Sequence, residues 1–254
     1  MPGAAVTHGE GMSLAERFAA ALTAECDGDP DDGHLLPDRL ARVTAGLLDV
    51  DGAGLSVLAG PHGRSPLGAS SAEAARAERL QFTIGMGPCR LAHTTGRPVF
   101  VVERDLRQRW PAFADLLFTR TPFRGIVSLP LRPPISGAMD LFLVDPGAVA
   151  RLDVFDAVTV GDLVTTALAD AAVWSTWIEA AGPDWLHSPA AERRSAVWHA
   201  VGVTGAVLDL AAPEALALLR AHAYAAGRSV DSVAADLLSG RLTAADVADR
   251  PGAD

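Results

Sequence analysis

The chain has 254 residues and a formal net charge of −10, with 49% hydrophobic and 20% charged residues, so it can bury a core and is not disordered as a whole. All 21 of its basic residues are arginine, which excludes every mechanism that needs a lysine: the Walker loop, the kinase and the Schiff-base enzyme. The acidic balance excludes broad electrostatic attraction to nucleic acid or anionic membrane and leaves only a local patch for such contacts.

In chain order, Ser13 opens a short helix over 13–25 with Leu14, Phe18, Ala21 and Leu22 on one side. The acidic stretch 26–34 reads as a linker. A second amphipathic helix is expected over 35–50, its apolar face made by Leu36, Leu40, Val43, Leu47 and Leu48. The period then changes. Residues 53–60 are a strand, 65–71 a weaker partner, 72–85 helical at first, and 87–96 a short helix begun by Pro88. A firm strand follows over 97–103 and a helix over 106–120. The strands 125–133 and 137–145 are joined by a hairpin-like break, "PPISG". A long helical pattern covers 149–182, with a hinge over 180–189. Helices before and after short, hairpin-connected strands predict an α+β domain with a mainly antiparallel sheet flanked by helices.

From Pro189 the pattern is all-α. Ser188 is a hydroxyl cap ahead of a proline, and Val197, Val201, Thr204, Val207 and Leu208 make an apolar stripe. Leu216, Leu219, Ala223 and Tyr224 share a face of the next helix, which Gly227 ends. Ser229 caps a third helix with Val230, Val233, Ala234, Leu237 and Leu238 inward. Three such helices enclose only a thin core, so they lean on the preceding long helix or on a second copy of the chain. The chain therefore divides into an N-terminal helix and linker (1–34), the α+β domain (35–173), a connecting helix end and hinge (174–188), the three-helix domain (189–245) and a tail (246–254).

Two cysteines, Cys26 and Cys89, are too few for a disulfide scaffold and suit a reducing compartment. No basic start with an apolar core begins the chain, and no apolar run approaches the ~20 residues of a membrane span, so a cytoplasmic protein without membrane contact is expected.

The most pointed segment of the α+β domain is "GMGPCRLAH". Cys89 falls in the first turn of a helix, where the dipole favours thiolate, and His93 follows on the same face. Such a pair is a weak candidate for binding a ligand, a metal or haem iron; the competing reading is a small buried cysteine. Two ligands define no metal site, and no cofactor is identified. Trp110 and Phe113, with Phe118 and Phe123, are candidates to line a ligand cavity; the alternative is that they are core. No G-x-S-x-G, H-E-x-x-H or C-x-x-C occurs, so enzymatic activity is not expected.

The stretch 196–242 resembles the ANTAR domain, the RNA-binding antiterminator module of bacterial regulators. Ala200 and Gly202 in its first helix, then "EALALLRAHAYAAGR" and "VAADLL", carry the resemblance. Upstream, "LQFTIGMGPCRLAHTTGRPVFVVE", "RWPAF" and "LPLR" resemble the GAF-type sensor domains that precede ANTAR in actinobacterial proteins. The two resemblances imply a GAF-like sensor of an unknown small molecule or redox cue. They also imply an ANTAR-like tail that binds tandem RNA stem-loops as a homodimer and prevents transcription termination. The RNA-binding residues so implied are Arg193, Arg194, Ala200, Gly202, Arg220, Tyr224 and Arg228. Arginines would meet phosphate or base edges, and the tyrosine would stack on a splayed base. The chain departs from the ANTAR pattern at Val201, where a polar or basic residue is usual, and at Val207, where glutamine is common. Those departures, and a tail from Ser188 onward with six arginines against eight acidic residues, support the alternative of a dimerising or partner-docking protein that binds no RNA.

Overall fold

The computed structural model describes residues 12–25, 35–59, 63–175 and 183–249. The expected linker with Cys26, part of the hinge and the last residues lie outside that set.

Chain alternation organises the first domain. Helices α1 (Leu14–Glu25) and α2 (Leu36–Leu47) precede the hairpin β1 (Gly52–Ala59) and β2 (Gly63–Ala69). Helices α3 (Ala72–Ile84) and α4 (Pro88–Thr95) lead to β3 (Val99–Val102), and α5 (Glu103–Arg109) and α6 (Pro111–Arg120) lead to the hairpin β4 (Gly125–Leu131) and β5 (Gly137–Leu143). The sequence predicted one helix where α5 and α6 stand. Pro111 cannot continue the hydrogen-bond ladder of α5, and the chain breaks at Trp110. A 3₁₀ turn (Pro146–Ala150) then precedes α7 (Val154–Ser175).

The five strands form one sheet in the order β2-β1-β5-β4-β3, with every neighbouring pair antiparallel. Successive side chains of a strand point to opposite faces, so each strand serves two cores. Leu55 and Val57 of β1, Val127 and Leu129 of β4, and Met139 and Leu141 of β5 join Leu40, Val43, Val160 and Val164 beneath α1, α2 and α7. Ile126 and Phe142 face the other way and pack with Leu80, Leu106, Phe113, Leu117 and Phe123 under α3 to α6. Ser56 and Asp140 have the same parity as Phe142, and both are buried on the α3 side. That face therefore carries polar groups at the centre of the sheet.

The tail is helical, as expected, with a fourth short helix added: α8 (Pro189–Leu208), α9 (Ala212–Ala225), α10 (Val230–Leu238) and α11 (Ala244–Ala248). The last of these runs across the expected boundary at 245. Ser188 caps α8 by accepting from Ala191 N, and its hydroxyl also donates to Leu67 O on β2 at 2.7 Å. Just before it, the indole of Trp185 donates to Leu168 O of α7 at 3.1 Å, so the start of the tail is fixed at two points.

Within the chain, the thin tail core leans on α3 and β2 rather than on the preceding long helix α7. Phe82 of α3 enters it, packed with Val197, Ala200, Leu216, Leu219, Val230 and Val233, and α8 packs on β2 while α9 and α10 pack on α3. Val230 N donates to Thr83 Oγ1, and Arg120 donates to Gly227 O at 2.8 Å, closing the same interface. Three side chains expected inside lie outside: Val207 is 65%, Tyr224 47% and Leu238 43% exposed. No single helix among the described residues is long and apolar enough to cross a membrane.

Candidate functional site: a cavity shared by the sheet domain and the tail

Polar groups buried on the α3 side of the sheet form one connected cluster. Arg64 of β2 pairs with Glu78 of α3, and its Nη2 lies 3.5 Å from Asp140 of β5. Its Nε donates to Ser56 Oγ at 3.0 Å, and Gln81 Nε2 donates to Asp140 at 2.8 Å. Gln81 then accepts from Cys89 N at 3.0 Å, which ties α3 to the first turn of α4. Gly54 makes this possible. It is the cross-strand partner of Asp140, and a Cβ there would lie 2.5 Å from Glu78 Oε1.

Burial governs the ionisation of this cluster. It raises the pKa of Glu78, with Arg64 opposing and Asp140 adding to the shift. It also works against the charge of Arg64, but the acidic groups packed around that guanidinium prevail and raise its pKa. The Cys89 thiol is pushed well up by the same burial, and only 1% of the residue is exposed. The dipole-stabilised thiolate expected from sequence is therefore corrected: desolvation outweighs the helix end, and Cys89 is a neutral thiol 3.6 Å from Ser56 Oγ.

Above the cluster lies a cavity of about 440 Å³, within the range of small-molecule sites. Ser56, Arg64, Gln81 and Cys89 form its buried end; Phe82, Ala138 and Leu216 wall it; Arg90, His93, Thr94 and Arg220 stand at its exposed end. Three of its lining residues, Pro213, Leu216 and Arg220, belong to α9, so the tail supplies one side of the cavity. Cys89 and His93 are brought together there. No group of three or more His, Cys, Asp or Glu among the described residues could hold a metal ion.

Trp110 and Phe113, expected as cavity lining, are elsewhere. Phe113 is fully buried in the core under α5 and α6, and Trp110 packs beside it with the Arg109 guanidinium 4.4 Å from its ring centre. The aromatic at the cavity is Phe82, which no sequence motif marked. Two guanidinium groups lie over its ring, that of Arg194 at 3.1 Å and that of Arg220 at 4.6 Å from the centroid. Trp198 meets it edge-on at 6.4 Å.

The residues that the tail resemblance implied for RNA binding divide sharply by exposure. Arg194 is 1% exposed, lies 3.6 Å from Asp231, and leaves all three of its nitrogens without a hydrogen-bond partner. Burial lowers its pKa while Asp231 resists. Arg220 is tucked against Phe82, and Arg228 is committed to Asp236 and to Ser232 O. Ala200 is fully buried, whereas Arg193, Gly202 and Tyr224 face outward. In this conformation Arg193 alone of the four implied arginines is fully exposed. The physical reason is that the apolar stems of Arg194 and Arg220 and the Phe82 ring together cover surface the thin tail cannot bury alone.

No protein-family model and no curated protein matches the chain. Among solved structures, it is similar to the GAF domain of a phosphoenolpyruvate-protein phosphotransferase from Coxiella burnetii. That similarity has 13% identity and a TM-score of 0.45 over 65% of this chain and 99% of that one. A similar match is the corresponding GAF domain from Acinetobacter, at 12% identity and TM-score 0.43 over 65% and 99%. The chromophore-binding domain of a Stigmatella aurantiaca bacteriophytochrome matches at 13% identity and TM-score 0.34 over 64% and 63%. Values of this size assign neither a family nor an activity to the chain.

Proposed function

We propose that the chain is a signal-responsive regulator in which a GAF-like domain senses a small molecule and an ANTAR-like tail is the output. One observation carries this reading: α9 both belongs to the tail and walls the cavity, so a ligand there touches sensor and output together. The output act proposed is binding of tandem RNA hairpins to prevent transcription termination, with Arg193, Arg220, Tyr224 and Arg228 as contacts. Arg220 becomes available only when α9 leaves Phe82, so the described state is the silent one. Its test is a filter-binding titration at low salt of tandem-hairpin RNA against a scrambled sequence, using the full chain and the Phe82→Ala variant. Preference for the hairpins, stronger in the variant and lost when Arg220→Ala is added, is expected. Equal binding of both RNAs by both proteins would remove RNA from the reading.

A second reading is favoured by the outer face of α8. Gly202, Val203, Ala206 and Val207 are all exposed at helical spacing, and Val203 and Val207 are 43% and 65% accessible. Such a stripe suits self-association or a protein partner, in which case the tail signals by docking without RNA.

A further inference from the structure

The charges around the cavity are unevenly matched. Arg64 faces it from the buried end, where it is paired with Glu78 and Asp140. Arg90 and Arg220 face it from opposite sides at the exposed end, and neither has a carboxylate partner among the described residues. Arg90 spends one nitrogen on Gly85 O at 3.1 Å, and the Nε of Arg220 is buried without a hydrogen-bond partner. Among the described residues, no aspartate or glutamate lines the cavity. Guanidinium groups brought together in this way repel one another, and desolvation strengthens the repulsion. Burial, then Arg90 and Arg64, accordingly lower the pKa of Arg220, with no acid raising it.

The walls between these charges are apolar: Phe82, Ala138 and Leu216. Gly85 sits where α3 ends in a left-handed turn at φ 78°, and a Cβ there would lie 2.8 Å from Arg220 Nη1. Its bare backbone lets the Arg220 guanidinium reach over the cavity. The site therefore combines apolar walls with two uncompensated, forked donors at one end, the arrangement that receives a carboxylate or phosphate bidentately.

We propose that this cavity binds a small organic anion, its apolar body against Phe82 and Leu216 and its charged group between Arg90 and Arg220, and that binding clamps the tail onto the sheet domain. This rests on the reading of the chain as a ligand-controlled regulator and names the ligand class and the direction of control. The direction follows from linkage. The anion contacts α3 and α4 on one side and α9 on the other, so it binds the docked tail better than the released one and shifts the population toward docking. The ligand is then a signal that keeps the output silent.

The test uses the full chain and follows amide hydrogen exchange across α9 with four probes: phenyl phosphate, benzoate, inorganic phosphate and neutral benzamide. At a hundredfold excess over its own Kd, an organic anion is expected to slow exchange in α9 about a hundredfold. Arg90→Gln removes this ligand-induced protection without breaking a tail contact, because Arg90 is an exposed residue of α4 that donates to Gly85 O, and losing its repulsion on Arg220 does not loosen α9. Arg220→Gln removes it as well. Overturning results are equal protection by benzamide, equal protection by inorganic phosphate, no binding of either organic anion, protection undiminished in Arg90→Gln, or faster exchange in α9 on binding. RNA takes no part in this experiment, so the filter titration and the exchange measurement can fail independently.

Discussion

Phe82→Ala is the sharpest perturbation of the tail interface. Phe82 is 3% exposed, is the one buried residue of the sheet domain in the tail's hydrophobic cluster among the described residues, and carries the guanidiniums of Arg194 and Arg220 over its ring. Truncating a buried phenylalanine costs about 3–5 kcal/mol, and that figure here includes two cation–π interactions of roughly 0.5–2 kcal/mol each. The Phe82 ring joins the tail to α3, so the cost falls chiefly on docking. At about 1.4 kcal/mol per factor of ten, the docking equilibrium shifts by roughly two to three and a half decades. Amide exchange resolved by segment measures this directly. Protection in α8, α9 and α10 should fall by that factor while β4 and β5, buried in the centre of the sheet, keep theirs. Equal loss of protection in β4 and β5 would show that Phe82 supports the whole fold rather than the interface. Unchanged exchange in the tail would show that the interface does not hold the tail.

Two further outcomes test the buried charges. Arg194→Met leaves the Asp231 carboxylate nearly buried and unpaired, which should cost about 3–5 kcal/mol in urea unfolding; adding Asp231→Asn should recover most of it, because the pair's own net contribution is small. Glu78 lies against Arg64, Asp140 and Arg194, and its pKa is raised by burial. The folded state then holds a proton that the unfolded state releases, so stability falls as pH rises above the ordinary glutamate range toward the folded pKa. Thermal melts between about pH 5 and 8 should show that decline in the native chain, and Glu78→Gln should flatten it. A decline of the same slope in both proteins would refute the assignment.

Much of the architecture was legible in the sequence because it is set by local rules. Short apolar runs at 53–60, 125–133 and 137–145 marked strands, and the "PPISG" break marked the β4–β5 hairpin. Ser188, Pro189, Gly227 and Ser229 marked the ends of the tail helices through capping, which involves only neighbours in the chain. Cys89 and His93 were legible as a pair since four residues of helix bring them to one face, and both line the cavity. The polar cluster beneath the cavity had no such signal. Ser56, Arg64, Glu78 and Asp140 come from four separate elements, and only the pairing of β1 with β2 and β5 brings them together. A trace existed in α3, where Glu78, Gln81 and Phe82 share a helical face, but the spacing does not distinguish a buried polar face from a solvated one.

The exposure of the tail residues was likewise decided by tertiary structure. Helical periodicity placed Arg220 beside Leu216 and Tyr224 near Leu219, yet a helix packed on two sides can bury either flank. Docking on α3 drew Arg194 and Arg220 inward over Phe82 and turned Tyr224 and Val207 to the surface. By itself the sequence determined the antiparallel sheet flanked by helices and the helical tail, because propensity and capping act over a few residues. Only the tertiary structure decided that one cavity joins the two parts, because burial and charge depend on which surfaces meet, and the chain's local pattern does not encode that meeting.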